Sequence, residues 1–232
     1  MSLHELCFCE ESYSKEVFFF GDLKMGKLLK VMCLVVLAIA GGAHANLLIN
    51  GDFETPAGNG TLADGGWTEL GGAQGIQAAA WAAEAPSAQG AWLKGWNNNV
   101  DSGFYQDVAD IIPDEVYILD AGFKIEGNFL LSANIDMELI WLDAADSEIA
   151  REVLDVDAVV ANDGVWVHQS LISTAPLEAV KVRCQIHWTT VDQTGGNPRS
   201  AMVDNMSLEV VPEPATLSLL ALGGLAVLRR KK

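Results

Sequence analysis

Period-two alternation of apolar and polar residues recurs along the middle of this chain, interrupted by turn-forming residues. Val180, Val182, Cys184 and Ile186 alternate with Lys181, Arg183, Gln185 and His187, and Ile135, Met137, Leu139 and Trp141 alternate with Asp136, Glu138, Ile140 and Leu142. Successive side chains of a strand point to opposite faces, so this pattern builds sheets with one face buried. Shorter runs at Val108, Tyr117-Ile118-Leu119, Phe123, Val165-Trp166-Val167 and Met206–Val210 read the same way. Gly65-Gly66, Gly71-Gly72, Pro113-Asp114, Glu126-Gly127-Asn128, Asn162-Asp163-Gly164 and Gly195-Gly196-Asn197-Pro198 supply the turns. No stretch of this middle keeps a helical period over three turns. Only the Ala-rich Gln77–Ala88 segment has room for a helical turn. Many short strands at this spacing predict an all-β sandwich.

The two ends read differently. Met25-Gly26-Lys27-Leu28-Leu29-Lys30 is a basic lead, Val31–Ala40 is apolar but short for a bilayer, and Ala43-His44-Ala45 places small residues where signal peptidase reads. Residues 25–45 are therefore expected to be a signal peptide that starts as a helix, with Asn46 the mature N-terminus. Residues 1–24 are acidic and carry Phe18-Phe19-Phe20, which fits a misassigned start with Met25 the initiator. At the other end, Pro212-Glu213-Pro214 precedes an apolar run, Ala215–Leu228, and then Arg229-Arg230-Lys231-Lys232. Fourteen helical residues reach roughly 21 Å, short of a hydrocarbon core of roughly 30 Å. The terminal cations favour the cytoplasmic side of a membrane. A transmembrane helix here would be a marginal anchor, suited to transient tethering.

Between the ends lies one domain-sized stretch, residues 46–211. Of the 14 Lys+Arg and 31 Asp+Glu in the chain, eight and six lie outside it, leaving six cations against 25 acids and a net charge of −19. Such a surface repels phosphate backbones and anionic lipid, which excludes nucleic acid as a partner. Neutral sugars and hard cations remain. Cys184 is the one cysteine of this stretch, so no internal disulfide forms, and its place on an apolar stripe reads as core filling.

The tail residues Pro212, Glu213, Pro214, Arg229 and Arg230, in that order around an apolar run, resemble the PEP-CTERM sorting signal of Gram-negative bacteria. The resemblance implies recognition by an exosortase-type membrane protease and delivery to the cell envelope, cell surface or extracellular matrix. In the core, Asn46-Leu47-Leu48-Ile49-Asn50-Gly51-Asp52-Phe53-Glu54 with Trp67 is similar to the opening of carbohydrate-binding modules of families four, nine and twenty-two. Gln89–Lys94 looks like the family's Gly-x-x-x-Leu strand, Gly103–Val108 the strand after it, and Val203–Leu208 the closing strand. Pro113 and Tyr117 fit a Pro-Gly-x-x-Tyr entry, with Asp114 in place of the glycine. This resemblance implies a jelly-roll β-sandwich of the galactose-binding type and a structural Ca2+ site. Carried onto this chain, the calcium ligands are the Asp52 carbonyl, Glu54 and Asp204, with Glu84 a further carboxylate from the loop before Trp92. Oxygen donors of this kind are what Ca2+ takes. The alternative is that these acids are merely solvated.

A sugar site needs aromatic faces and hydroxyl-pairing side chains. All seven Trp lie in residues 46–211. Trp141 and Trp188 continue apolar stripes and read as core. With Leu93 inward, Trp92, Lys94 and Trp96 share an outer face. Arg183, Gln185 and His187 are outward by the same parity. Trp92, Trp96, Arg183, Gln185 and His187 are thus the expected polysaccharide groove, against the plain alternative of a solvated sheet. Catalytic motifs are missing: the sequence holds no Gly-x-Ser-x-Gly elbow, no His-Glu-x-x-His and no phosphate-cradling glycine loop. A non-catalytic surface protein is expected, with a purely structural matrix protein or a glycosidase-like enzyme as the alternatives.

Overall fold

The structure is a computed structural model and describes residues 45–55, 60–71, 76–94, 100–127, 133–190 and 200–211. The signal segment, the sorting tail with its apolar run, and Trp96 lie outside the described residues. Among the described residues no helix is long and apolar enough to cross a membrane.

Among the described residues ten strands form: β1 (Thr68–Leu70), β2 (Ile76–Ala79), β3 (Gly90–Lys94), β4 (Val100–Ala109), β5 (Val116–Ile125), β6 (Ala133–Leu142), β7 (Glu148–Asp155), β8 (Val167–Thr174), β9 (Lys181–Thr190) and β10 (Ser200–Val211). They pair antiparallel into two five-stranded sheets, ordered β1-β4-β9-β6-β7 and β2-β3-β10-β5-β8. This is the expected all-β jelly-roll sandwich. The Ala-rich segment contributes a single 3-10 turn, Ala80–Ala82. Val165 and Trp166 precede β8 rather than belong to it.

The core is the meeting of the two inward stripes. From the first sheet come Phe104, Ile135, Met137, Leu139, Trp141, Val182, Cys184, Ile186 and Trp188; from the second come Leu93, Leu119, Phe123, Ala201, Val203 and Leu208. Trp141 stacks edge-on to Tyr117 at 5.5 Å, and its Nε1 donates to Ser173 Oγ at 3.1 Å. A buried indole thus keeps both its area and its polar atom satisfied. Cys184 is fully buried, and burial drives its thiol pKa far up, which leaves it inert.

Two local devices shape the ends of the sandwich. Asp114 has φ +66°, the left-handed region in which glycine is easiest and Asp is tolerated. That is why an Asp can stand in the Pro-Gly-x-x-Tyr entry. The Tyr117 hydroxyl accepts the Ile112 N–H at 2.9 Å and ties the same turn to the core. In β10 the register with β5 slips between Asp204 and Ser207, with Asn205 at φ +52°. This bulge bends the strand toward the N-terminal segment. There the Met206 N–H donates to Gly51 O at 2.8 Å, and Asn46 Nδ2 donates to Met206 O at 2.8 Å.

Candidate functional site

The outer face of the second sheet carries a small aromatic cluster separate from the core. Trp92 points outward from β3, as parity requires, but is only 8% exposed because Ala79, Ala82, Met202 and Trp166 pack around it. Above it sits Trp81, 51% exposed, with its ring edge-on to Trp92 at 5.1 Å and 82°. Lys94 Nζ lies 5.5 Å from the Trp92 ring centre, within cation–π reach. Burial lowers the Lys94 pKa, and Glu69 partly opposes this. The 3-10 turn is what lifts Trp81 clear of the sheet. Trp81 was not among the expected groove residues: it lies in an Ala-rich stretch with no periodicity, and its presence as a Trp among alanines was the one available signal.

The segment from Ala83 to Gln89 folds back over the same face and buries Asp204, which is 0% exposed although it points away from the core. Asp204 Oδ2 accepts the Glu84 N–H and Oδ1 the Asn205 N–H, both at 2.7 Å. Burial pushes the Asp204 carboxyl up to about 7, and these two backbone donors only partly offset it. Glu84 Oε2 accepts from Asn205 Nδ2 at 3.0 Å and lies 2.9 Å from His168 Nε2. His168 Nδ1 meets Asp120 Oδ1 at 2.8 Å. Held first by Asp120 and then by Glu84, His168 has its pKa raised. At the far end of the segment, Glu54 Oε1 accepts the N–H groups of Ala88 and Gln89. One loop therefore links Glu54, Glu84 and Asp204, the three expected carboxylates. Asp52 stands nearby in a cleft of about 330 Å³ shared with Asn205, Met206 and Ser207. The oxygens are of the type a hard cation takes, but here they are engaged by protein donors: Glu54 by the Ala88 and Gln89 N–H groups, Glu84 by Asn205 and His168, and Asp204 by the Glu84 and Asn205 N–H groups.

The expected sugar groove does not form as one surface. Trp92 is on the second sheet, whereas Arg183, Gln185 and His187 lie on β9 of the first. β3 pairs with β2 and β10, and β9 pairs with β4 and β6, so the two outward sets face opposite sides of the sandwich. Parity assigns inside and outside but not which sheet. Arg183 is also committed: its guanidinium lies 3.7 Å from the Tyr105 ring centre and forms a bidentate pair with Asp107 at 2.7 and 3.0 Å. Gln185 Nε2 donates to Glu138 at 3.0 Å, and His187 Nε2 meets Asp101 at 2.7 Å.

Fold and surface together define a two-sheet antiparallel β-sandwich with an aromatic patch on one outer face. The chain carries a PEP-CTERM protein-sorting motif, matched over residues 210–232, and with it the mark of an exported, envelope-associated protein. No curated protein matches the chain at the sequence level. Among solved structures it resembles a cyclase from Fischerella sp. TAU at 14% identity and TM-score 0.54, over 73% of this chain and 98% of that one. It also resembles the enzymatically active domain of tailspike protein 4 from bacteriophage CBA120, at 13% identity and TM-score 0.53. That match spans 72% of this chain but only 21% of the tailspike chain. The CBM22-1 xylan-binding domain of Paenibacillus barcinonensis Xyn10C aligns at 15% identity and TM-score 0.44, over 74% of this chain and 97% of that one. At these identities the likeness is one of fold alone.

Proposed function

We propose that this protein is a non-catalytic carbohydrate-binding protein of the cell envelope, and that Trp81, braced by Trp92, is its sugar platform. The observation that carries this reading is the half-exposed indole of Trp81, held edge-on so that it presents a fixed apolar face. Unlike the other exposed apolar side chains, Trp81 is a large flat ring braced by a second Trp, a surface that the C–H face of a pyranose can cover. Lys94, over the Trp92 ring, and Gln77, opposite Trp92 across β2 and β3, supply polar groups on the same face. The strongly acidic surface favours a neutral glycan over an anionic one.

Affinity electrophoresis of the full chain through gels containing neutral polysaccharides tests the assignment. Trp81→Ala is expected to weaken retardation on the order of thirtyfold, the scale of a lost aromatic anchor of about 2 kcal/mol. Arg183→Ala, on the opposite sheet, is expected to leave it unchanged. Equal retardation of the parent and Trp81→Ala would move the reading to a structural matrix protein.

Export is proposed to run through signal peptidase after Ala45 and an exosortase-type protease near Pro212-Glu213-Pro214, with the tail a transient membrane tether. Mass spectrometry of the protein from its host is expected to show Asn46 as the first residue and no Arg229-Arg230. An intact Met25–Lys232 chain would remove this account. Ca2+ is proposed as a structural ion held by Glu54, Glu84, Asp204 and the Asp52 carbonyl, where it would neutralise the buried Asp204 and lock the 83–89 loop.

A further inference from the structure

The outer face of the first sheet holds a second, different collection of donors. Asp136 and Glu138 project from β6 and His187 from β9, with Asp136 directly opposite His187 in the register. One ligand atom from each lies within 4.8 Å of the other two. Every one of the three is also held from behind. Asn134 Nδ2 donates to Asp136 Oδ2 at 2.6 Å. Arg151 Nη1 and Gln185 Nε2 both donate to Glu138 Oε2, at 2.8 and 3.0 Å. Asp101 Oδ1 takes His187 Nε2 at 2.7 Å.

Each residue therefore spends one atom on an orienting partner, and among the described residues Asp136 Oδ1, Glu138 Oε1 and His187 Nδ1 remain uncommitted. A carboxylate on the far nitrogen is the usual support of a metal-bound imidazole, because it sets the tautomer and the ring orientation. Glu138 is only 3% exposed, so its second oxygen is a desolvated acceptor rather than a solvated surface charge. Arg151 does not cancel the local charge: it is shared with Glu148 at 2.7 Å, while Asp155 stands opposite Asp136 on β7. Burial raises the pKa of both Asp136 and Glu138, with the Asp155 charge next in importance for Asp136 and Arg151 opposing the shift at Glu138. All three ligands sit on paired central strands, which fixes their spacing.

We propose that Asp136, Glu138 and His187 form a binding site for one divalent transition-metal ion of the Zn2+ class. The mixed set decides the class, since an imidazole nitrogen with two carboxylates suits Zn2+ and its neighbours, whereas Ca2+ takes oxygen alone. Three protein donors leave coordination open on the solvent side for water or an outside ligand. The site is separate from both the Trp81 platform and the proposed calcium loop, which belong to the other sheet.

The test is calorimetric titration of the EDTA-stripped full chain with ZnCl2, in millimolar CaCl2 to fill oxygen-only sites. The parent is expected to bind one more Zn2+ per chain than His187→Ala, a difference that cancels any uptake by His or Cys elsewhere. Asp101→Asn changes a supporting residue whose side chain is 82% exposed. It is expected to weaken the same site about tenfold without removing it. Co2+ in place of Zn2+ should give a visible absorption band in the parent that His187→Ala lacks. Identical zinc stoichiometry and affinity in the parent and His187→Ala, or binding insensitive to Asp101→Asn, would overturn the proposal.

Discussion

Gly90→Ala is expected to destabilise the protein by about 3 kcal/mol, the upper end of what overpacking costs. A Cβ at Gly90 would stand 2.0 Å from the Ala82 carbonyl oxygen and 2.8 Å from its carbon, with the Val203 carbonyl oxygen at 3.1 Å. These neighbours are backbone, so no side-chain rotation relieves the clash. Gly90 opens β3 opposite Ala79, and the added methyl must push the 80–89 segment off the sheet. That segment carries Trp81, donates the Glu84 N–H to Asp204 and is tied down at Ala88 and Gln89 by Glu54. The loss should therefore appear twice, as a lower urea midpoint and as lost polysaccharide retardation. Against a typical total of 5–15 kcal/mol, 3 kcal/mol is a readily measured share. A change below about 1 kcal/mol would show that the loop does not rest on this contact.

Metal-free protein is expected to lose stability as the pH rises from about 4 to about 7. Asp204 moves from an ordinary value of 3.8 to about 7 in the folded state. Between those values the native chain holds a proton that the unfolded chain has released, so raising the pH favours unfolding. At about 1.4 kcal/mol per pH unit the ceiling is about 4 kcal/mol. His168, also raised, adds a smaller loss of the same sign as the pH climbs through its folded value; it is half-exposed, so solvent screens it. Urea unfolding in EDTA across this range, compared with Asp204→Asn, isolates the Asp204 share as the difference between the two slopes. Saturating Ca2+ should flatten or reverse the parent's slope, because the ion binds the ionised carboxylate that burial penalises. A slope indifferent to both Asp204→Asn and Ca2+ would remove Asp204 from the account and the calcium proposal with it.

Much of the architecture was readable before any coordinates. The stripes Val182-Cys184-Ile186 and Ile135-Met137-Leu139-Trp141 named the buried faces of β9 and β6, and Leu93 set the parity of β3. These are local consequences of the two-residue strand repeat, and nothing in tertiary packing competes with them. That Glu54 and Asp204 would lie against one segment was expected only through resemblance, and the 83–89 loop is what joins them. Trp81 was missed because exposure of a single indole on a 3-10 turn leaves no period to detect. The Asp136–Glu138–His187 cluster was missed as a unit for a related reason: His187 lies about fifty residues from the two acids, on a strand that meets theirs only in the folded sheet.

Local patterning was enough to predict an all-β sandwich, to say which side chains each long strand turns inward, and to mark a sorting signal at the C-terminal residues. Tertiary structure alone decided which strands share a sheet, and so sent Trp92 to one side of the molecule and Arg183, Gln185 and His187 to the other. The reason is physical: facing direction is set by the chain's own pleat, whereas sheet partnership is a choice among distant strands settled by how the whole core packs.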